Sequence, residues 1–247
     1  MLSEGRDSHR VPAARNVYAR YMPVHSHLPA AIRAASSLAN GLVNPSLLVT
    51  LHRDIEKLEG KDGKPLGRSS KQYALRWGIF TTTYATVEGF FNEALSLDPE
   101  RTRHLPLNPD KLRQAGQRAE VQLFTNDWGI RTRTPGRTGS SRSRWRVYSG
   151  TQELQVYLAD MKNLRNILSH GGDPQLTSNA SGALWPLAGG KHSMRLMGAE
   201  GFIQACCDLA AQTVLAFGGR ANDFPHWPEP ERSGLSAERR PPLKLLP

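Results

Sequence analysis

The chain is short of cysteine, of long apolar runs and of acidic residues, and each shortage narrows what it can be. Its 247 residues hold two cysteines, Cys206 and Cys207, side by side. Adjacent cysteines rarely bond to each other, and two thiols alone do not make a structural zinc site. They fall in an apolar helical run and read as small buried hydrophobes. Without a disulfide framework, a reducing compartment is expected. No apolar stretch approaches the ~20 residues that span a bilayer. The first residues, MLSEGRDSHRVPAARN, carry no apolar signal-peptide core. The expected location is the cytoplasm, with no membrane contact.

Acidic residues number 22 against 32 Lys and Arg, giving a net charge of +10 and a pI near 10.0. That balance points to an anionic partner, nucleic acid before membrane, although many basic proteins bind neither. Hydrophobic content of 38% and charged content of 22% suit a globular protein long enough to bury a sizeable core.

Helical periodicity dominates what is present. Residues 13–39 read as helix, interrupted near Pro23 and Pro29. Asn44-Pro45-Ser46 looks like a helix start leading to Leu47, Leu48, Leu51, Ile55 and Leu58, and GKDGKPLG at 60–67 is a loop. The strongest helix runs from about Ser69 to Leu97, with Tyr73, Trp77, Phe80, Tyr84, Val87, Phe91 and Leu95 on one side. Asp98-Pro99 stops it. Asn108 caps a further helix toward Phe124, with Pro109 at its first position. Thr151 to Ser169 is helical through Leu154, Tyr157, Met161, Leu164 and Leu168, and Ala199 to Phe217 is a last, apolar helix. Short strands are expected around Leu184 and Met194–Met197, and six prolines after Gly218 mark an irregular tail.

Between Trp128 and Gln152 the character changes. Arg131, Arg133, Arg137, Arg142, Arg144 and Arg146 lie in a Gly/Ser/Thr-rich segment without any acidic residue. Such a stretch is expected to be an exposed loop or hairpin that presents cations rather than builds core. A merely solvated loop is the plain alternative. The interleaved Trp128, Trp145 and Tyr148 favour RNA, because aromatics stack on unpaired bases while arginines hold phosphates. The fold expected is therefore all-α: an up-and-down helical bundle in one domain over residues 1–218, with a basic insertion at 128–152 and a Pro-rich tail at 219–247.

The sharpest chemical signal is Arg165-Asn166-Ile167-Leu168-Ser169-His170-Gly171-Gly172, at the end of an apolar helix. Arg165 offers a permanently charged fork of donors, and a histidine such as His170 is the residue type suited to moving a proton at physiological pH. On a continuing helix the two would point about 140° apart. The glycines are expected to end the helix and let His170 turn toward the arginine's edge. Cations in a last turn also favour the helix dipole, by about 0.3 to 1 kcal/mol, so plain helix-end charges are the competing reading.

The segment RNILSHGG resembles the signature of the HEPN superfamily, in which an Arg, a polar residue and a His follow in the form RN-x-x-x-HG. Upstream, YATVEGFFNEAL (Tyr84 to Leu95) resembles that family's long helix, with a Glu amid aromatics. The order of long aromatic helix, motif helix and closing apolar helix also agrees, over about residues 69–217. The resemblance implies a helical bundle that dimerises, with a composite cleft in which Arg165 and His170 meet their counterparts across a two-fold axis. It implies metal-independent endoribonuclease activity of the kind found in toxin–antitoxin and antiphage systems, with an antitoxin or other regulator as a further partner. Asn166 matches the family's polar position, and Glu88 its helix carboxylate. The expected catalytic residues are thus Arg165, His170, Asn166 and Glu88, and the expected RNA contacts the six arginines with Trp145. A non-catalytic RNA-binding or dimerisation module of the same type is the alternative.

No cofactor is expected. His25 and His27 are two apart and do not share a helix face, so no metal is expected there. Gly189-Gly190-Lys191 lacks the rest of a phosphate-binding loop, and no G-x-S-x-G elbow exists for a serine hydrolase.

Overall fold

A computed structural model describes residues 27–61, 63, 72–95, 105–136, 143–230 and 240–243. Among these residues the chain is mostly helical, with six α-helices and two small antiparallel sheets. The helices are α1 (Leu28–Gly41), α2 (Val43–Lys57), α3 (Tyr73–Ala94), α4 (Pro109–Arg118), α5 (Gly150–Ser169) and α6 (Leu196–Ala216). Strands β1 (Gly129–Pro135) and β2 (Ser143–Ser149) pair as a hairpin, as do the two-residue strands β3 (Trp185–Pro186) and β4 (His192–Ser193). The expected kink at Pro23 and stop at Asp98-Pro99 lie outside the described residues.

Helix α3 forms the spine. Phe80, Tyr84, Val87, Phe90 and Phe91 are buried along it, and it packs on α1, α2, α5 and α6. Helix α1 starts with Pro29 in its first turn and packs through Ala31, Ala34, Ala35 and Leu38. Its end approaches α3 closely: a Cβ on Gly41 would lie 2.4 Å from the methyl of Thr86. Only a residue without a side chain fits.

Helix α2 differs from expectation. Leu47, Leu51 and Leu58 face solvent, while Ser46, Val49, His52 and Arg53 are buried. The polar pair can go inside because it has partners there. Arg76 donates to His52 Nε2 at 3.1 Å, and Arg53 meets Glu200 of α6 at 2.7 Å. Buried charge is tolerated when paired, and that pairing turns the helix.

Helix α4 begins as expected, with the Asn108 carboxamide oxygen accepting from the N–H groups of Asp110 and Lys111. It ends earlier, at Arg118. Glu120 takes a positive φ of 56°, and the Val121 N–H returns to the Gly116 carbonyl at 2.9 Å. This is a Schellman stop with a non-glycine residue at the turn.

The largest correction concerns the arginine-rich segment. It is a hairpin whose first strand lies against α6, and Trp128, Ile130 and Tyr148 join the core. Glycine permits the approach: a Cβ on Gly201 would lie 2.3 Å from the backbone nitrogen of Arg133. The side chains of α6 replace a third strand. Gln212 accepts from the Gly129 N–H at 2.9 Å and donates to the Gly129 carbonyl at 2.7 Å, while Asp208 accepts the Arg131 N–H at 2.7 Å. The start of the free edge of β1 is thereby satisfied, as a buried strand edge requires.

Helix α6 is consequently buried on nearly every side, and both cysteines lie within it as free thiols. Burial pushes both thiols well above the usual cysteine range. Among the described residues of the C-terminal segment, Ala221–Asp223 forms a single 3-10 turn, and Phe224 and Trp227 pack on the core. Among the described residues no helix is long and apolar enough to cross a membrane.

Candidate functional site

The end of α5 is a complete Schellman motif. The Gly172 N–H bonds the Ile167 carbonyl at 2.9 Å, the Gly171 N–H points to the Leu168 carbonyl at 3.4 Å, and Gly171 takes φ +69°. Only glycine adopts that backbone readily. His170 is the C-cap, with φ −102° and ψ 10°, and its own N–H still bonds the Asn166 carbonyl at 3.1 Å. The histidine therefore has not left the helical cylinder; the chain departs one residue later, at Gly171. The angular separation from Arg165 persists, and among the described residues no hydrogen bond or ion pair joins the two. The His170 side chain is exposed.

Arg165 sits one turn earlier, at the edge of the packed face of α5. Its Nη2 lies 3.4 Å from Glu88 Oε2, its Nη1 donates to Asn166 Oδ1 at 3.3 Å, and its guanidinium carbon is 5.7 Å from the centre of the Tyr84 ring. Its side chain is 39% exposed against 6% for Glu88. Glu88 is anchored from below, since its Oε1 accepts the Leu107 N–H at 3.4 Å. Asn92, one turn on, donates to the Glu88 carbonyl and accepts the Leu105 N–H. Three of the four expected catalytic residues, Arg165, Asn166 and Glu88, are thus brought together within one chain. His170 is not among them.

Tyr84 belongs to this group and was read from the sequence only as core. Its ring lies under Arg165, and its buried hydroxyl has no hydrogen-bond partner among the described residues. Burial, reinforced by the neighbouring Glu88 carboxylate and opposed by Arg165, pushes the phenol well above the usual range, so it stays protonated. The available signal was spacing: Tyr84 and Glu88 are four apart and share a face of α3.

Asn166 also opens onto a cleft of about 280 Å³ between α5 and the start of α4, lined with it by Lys162, Asn163, Gln155, Asn108 and Pro109. The first N–H groups of α4 are already taken by Asn108, so the positive contribution there comes from Lys162, one turn before Arg165.

The hairpin arginines are placed differently from expectation. Arg131 meets Asp208 through two side-chain bonds, of 2.6 and 3.1 Å. Arg133 donates to Ser143 at 2.6 Å, lies 3.5 Å from Glu200 and stacks 5.3 Å from the Trp145 ring. Arg146 stacks 4.2 Å from the Tyr148 ring and bonds the Ser181 carbonyl at 3.2 Å. Arg144 alone of the four described arginines is exposed without a partner among the described residues. Arg137 and Arg142 lie outside the described residues. A strand alternating Ile130, Thr132 and Thr134 with Arg131 and Arg133 has one buried face, and its arginines need anions, which α6 supplies. Arg131 and Arg133 are thus structural cations, not a free RNA-facing pair.

Among the described residues no three His, Cys, Asp or Glu side chains group so as to hold a metal ion. Compared with known proteins, the chain matches no family model, no curated protein and no solved structure.

Proposed function

We propose that this protein is a HEPN-type endoribonuclease that cleaves RNA without a metal ion, acting in the cytoplasm as a toxin or antiphage effector. The observation that carries the reading is the state of Arg165. It is oriented by Glu88, Asn166 and the Tyr84 ring through long contacts, and remains exposed enough to take a phosphate. An arginine fork so held can bind a phosphodiester and stabilise charge developing on the phosphorane oxygens. His170, exposed at a helix end, is available to move a proton.

In this mechanism the RNA 2′-hydroxyl attacks its own phosphorus. His170 takes the hydroxyl proton or protonates the departing 5′-oxygen, and the products are a 2′,3′-cyclic phosphate and a 5′-hydroxyl. DNA lacks the nucleophile and is inert. Because Arg165 and His170 are not joined within one chain, the site requires two copies, each contributing to a shared cleft across a two-fold axis. An antitoxin or regulatory partner would cover that cleft.

The test is cleavage of labelled structured RNA in EDTA. His170→Ala is expected to reduce the rate ~10²–10⁴-fold, and Arg165→Ala by a similar or larger factor. Cleavage that needs added metal, or that survives both substitutions, rejects the mechanism. A second reading has its own support: the Schellman stop gives the glycines and the histidine position a purely structural use. It describes a non-catalytic RNA-binding or dimerisation module, and predicts RNA binding without cleavage in the same assay.

A further inference from the structure

A second pocket, of about 240 Å³, lies between the hairpin, α6 and the C-terminal segment. It opens on the side of α6 opposite the proposed nuclease residues. Its floor is formed by Gln204, Asp208 and Ala211, which fall on one helix face, whereas Phe202 on the other face contacts Phe80 and Tyr84 beneath Arg165.

The walls have a consistent chemistry. Trp145, Phe224 and Trp227 supply three aromatic rings. The charges present are already matched, Arg131 to Asp208, Arg240 to Glu229 and Glu200 to Arg53 and Arg133, and Arg240 also donates to Gln204. Such walls favour neither a free anion nor a free cation. The Asp208 carboxylate is fully used, accepting three bonds from Arg131 and one from Gln204, whereas the Gln204 amide keeps one hydrogen and one lone pair for a ligand edge. The indole Nε1 of Trp145 is buried with no acceptor among the described residues. That group is closed off from solvent, so it is the ring of Trp145 and not its N–H that the pocket offers. The volume falls below the roughly 300–1,000 Å³ of pockets for drug-sized ligands, which limits the occupant to one ring system with little attached.

From these features we infer that the pocket binds a single uncharged heteroaromatic base, stacked on its tryptophans and hydrogen-bonded at its edge. A purine or pyrimidine meets each requirement: a flat face for the rings, and an edge carrying both an acceptor and a donor for the remaining hydrogen and lone pair of the Gln204 amide. The base can belong to a free nucleoside or to an unpaired position of a strand. The inference does not depend on Arg165 or His170.

Isothermal titration calorimetry of the full chain with adenosine, guanosine, cytidine and uridine tests it, alongside single-stranded pentanucleotides of each base. Saturable binding of at least one nucleoside is expected. Trp227→Leu, which removes a stacking face, is expected to weaken it roughly tenfold or more. Ala211→Leu, which fills the floor, should do the same, and Trp145→Phe, which only shrinks one stacking face, should weaken it less. Each variant is checked for wild-type circular dichroism and melting, and Trp145→Phe decides if the other two fail to fold. A pentanucleotide that binds much more tightly than its nucleoside, with the same sensitivity to the variants, assigns the base to a strand; equal affinity assigns it to a free nucleoside. No saturable heat from any probe at millimolar concentration overturns the inference, as does undiminished binding in every folded variant. Arg165→Ala and His170→Ala should leave nucleoside binding intact, so failure of the nuclease reading and failure of this one are separable.

Discussion

Two regions of the molecule concentrate its arginines, and they treat them in opposite ways. Across α2, α6 and the hairpin, Arg53, Arg131 and Arg133 are drawn into a buried lattice with Glu200 and Asp208, at distances down to 2.6 Å. At the end of α5, Arg165 touches Glu88 and Asn166 only at 3.3 to 3.4 Å and keeps much of its surface open. Desolvated charges in short pairs are committed to the fold, because freeing one leaves its partner buried and alone. A half-exposed charge with long contacts can exchange them for a ligand at little cost. Basic composition alone does not distinguish the two, and neither does the counter-ion, since Glu88 and Glu200 are equally buried; the burial of the arginine itself and the length of its contacts do.

The largest effect should come from breaking the lattice. Glu200→Ala leaves Arg53 and Arg133 without their shared carboxylate and should lower unfolding free energy by about 3–5 kcal/mol in urea titrations. A loss below about 1 kcal/mol would show that the lattice is not holding the hairpin on α6.

Acid should act on the same side of the molecule. His52 is buried beside Arg76 and Arg53, and desolvation first, then those cations, pull its pKa from 6.5 to about 4. The unfolded chain therefore binds a proton that the native one refuses between those values. Stability should fall as pH drops from about 6.5 toward 4 and stay flat above that window. Melting temperature against pH reads this directly, and His52→Gln should flatten the profile. An unchanged slope in that variant would assign the acid sensitivity to other groups.

Arg165→Ala sharpens the comparison from the other side. Its half-exposed guanidinium makes only long contacts, so its loss should destabilise the fold by less than Glu200→Ala does, even though the Glu88 carboxylate is left buried with the Leu107 N–H, while RNA cleavage is expected to be lost. A destabilisation as large as that of Glu200→Ala would place Arg165 in the structural class and support the non-catalytic reading.

The smallest effect is reserved for Arg144. Its replacement by Ala should leave unfolding unchanged and, if it contacts a single strand, reduce the slope of log affinity against log salt by about 0.7. An unchanged slope would take the last described hairpin arginine out of the RNA interface.

Much of the helical frame was legible because local chemistry and packing agree there. Asn108 before Pro109 marks a cap, and the aromatics of α3 repeat at helical spacing because the helix is buried on that side. The stripe of α2 was misread, since Leu47 and Leu51 keep the helical period but the face that packs carries His52 and Arg53. Periodicity finds a helix and does not say which face has partners waiting 24 or 147 residues away. A hairpin was among the expectations for the arginine-rich segment, but its burial was hidden for the same reason. Its signal sits partly in α6, where Glu200, Gln204, Asp208 and Gln212 recur every four residues within an otherwise apolar helix. A polar row that a buried helix keeps is a row that something must meet. At the candidate site, Arg165 and Asn166 were legible from their motif, whereas the distance of His170 from Arg165 depended on whether the helix ended one residue sooner or later.

That polar row on α6 has a consequence for how the protein is made. Arg131 and the aspartate that neutralises it are 77 residues apart. A chain emerging in order exposes the hairpin, its open edge and its bare guanidinium groups well before the helix that closes them. During that interval the segment is a cationic ribbon with an unpaired strand edge, and only the arrival of α6 turns it into interior. The hairpin can therefore reach its final packing only once α6 has emerged, and the charges that the finished protein pairs internally wait for their partners until then.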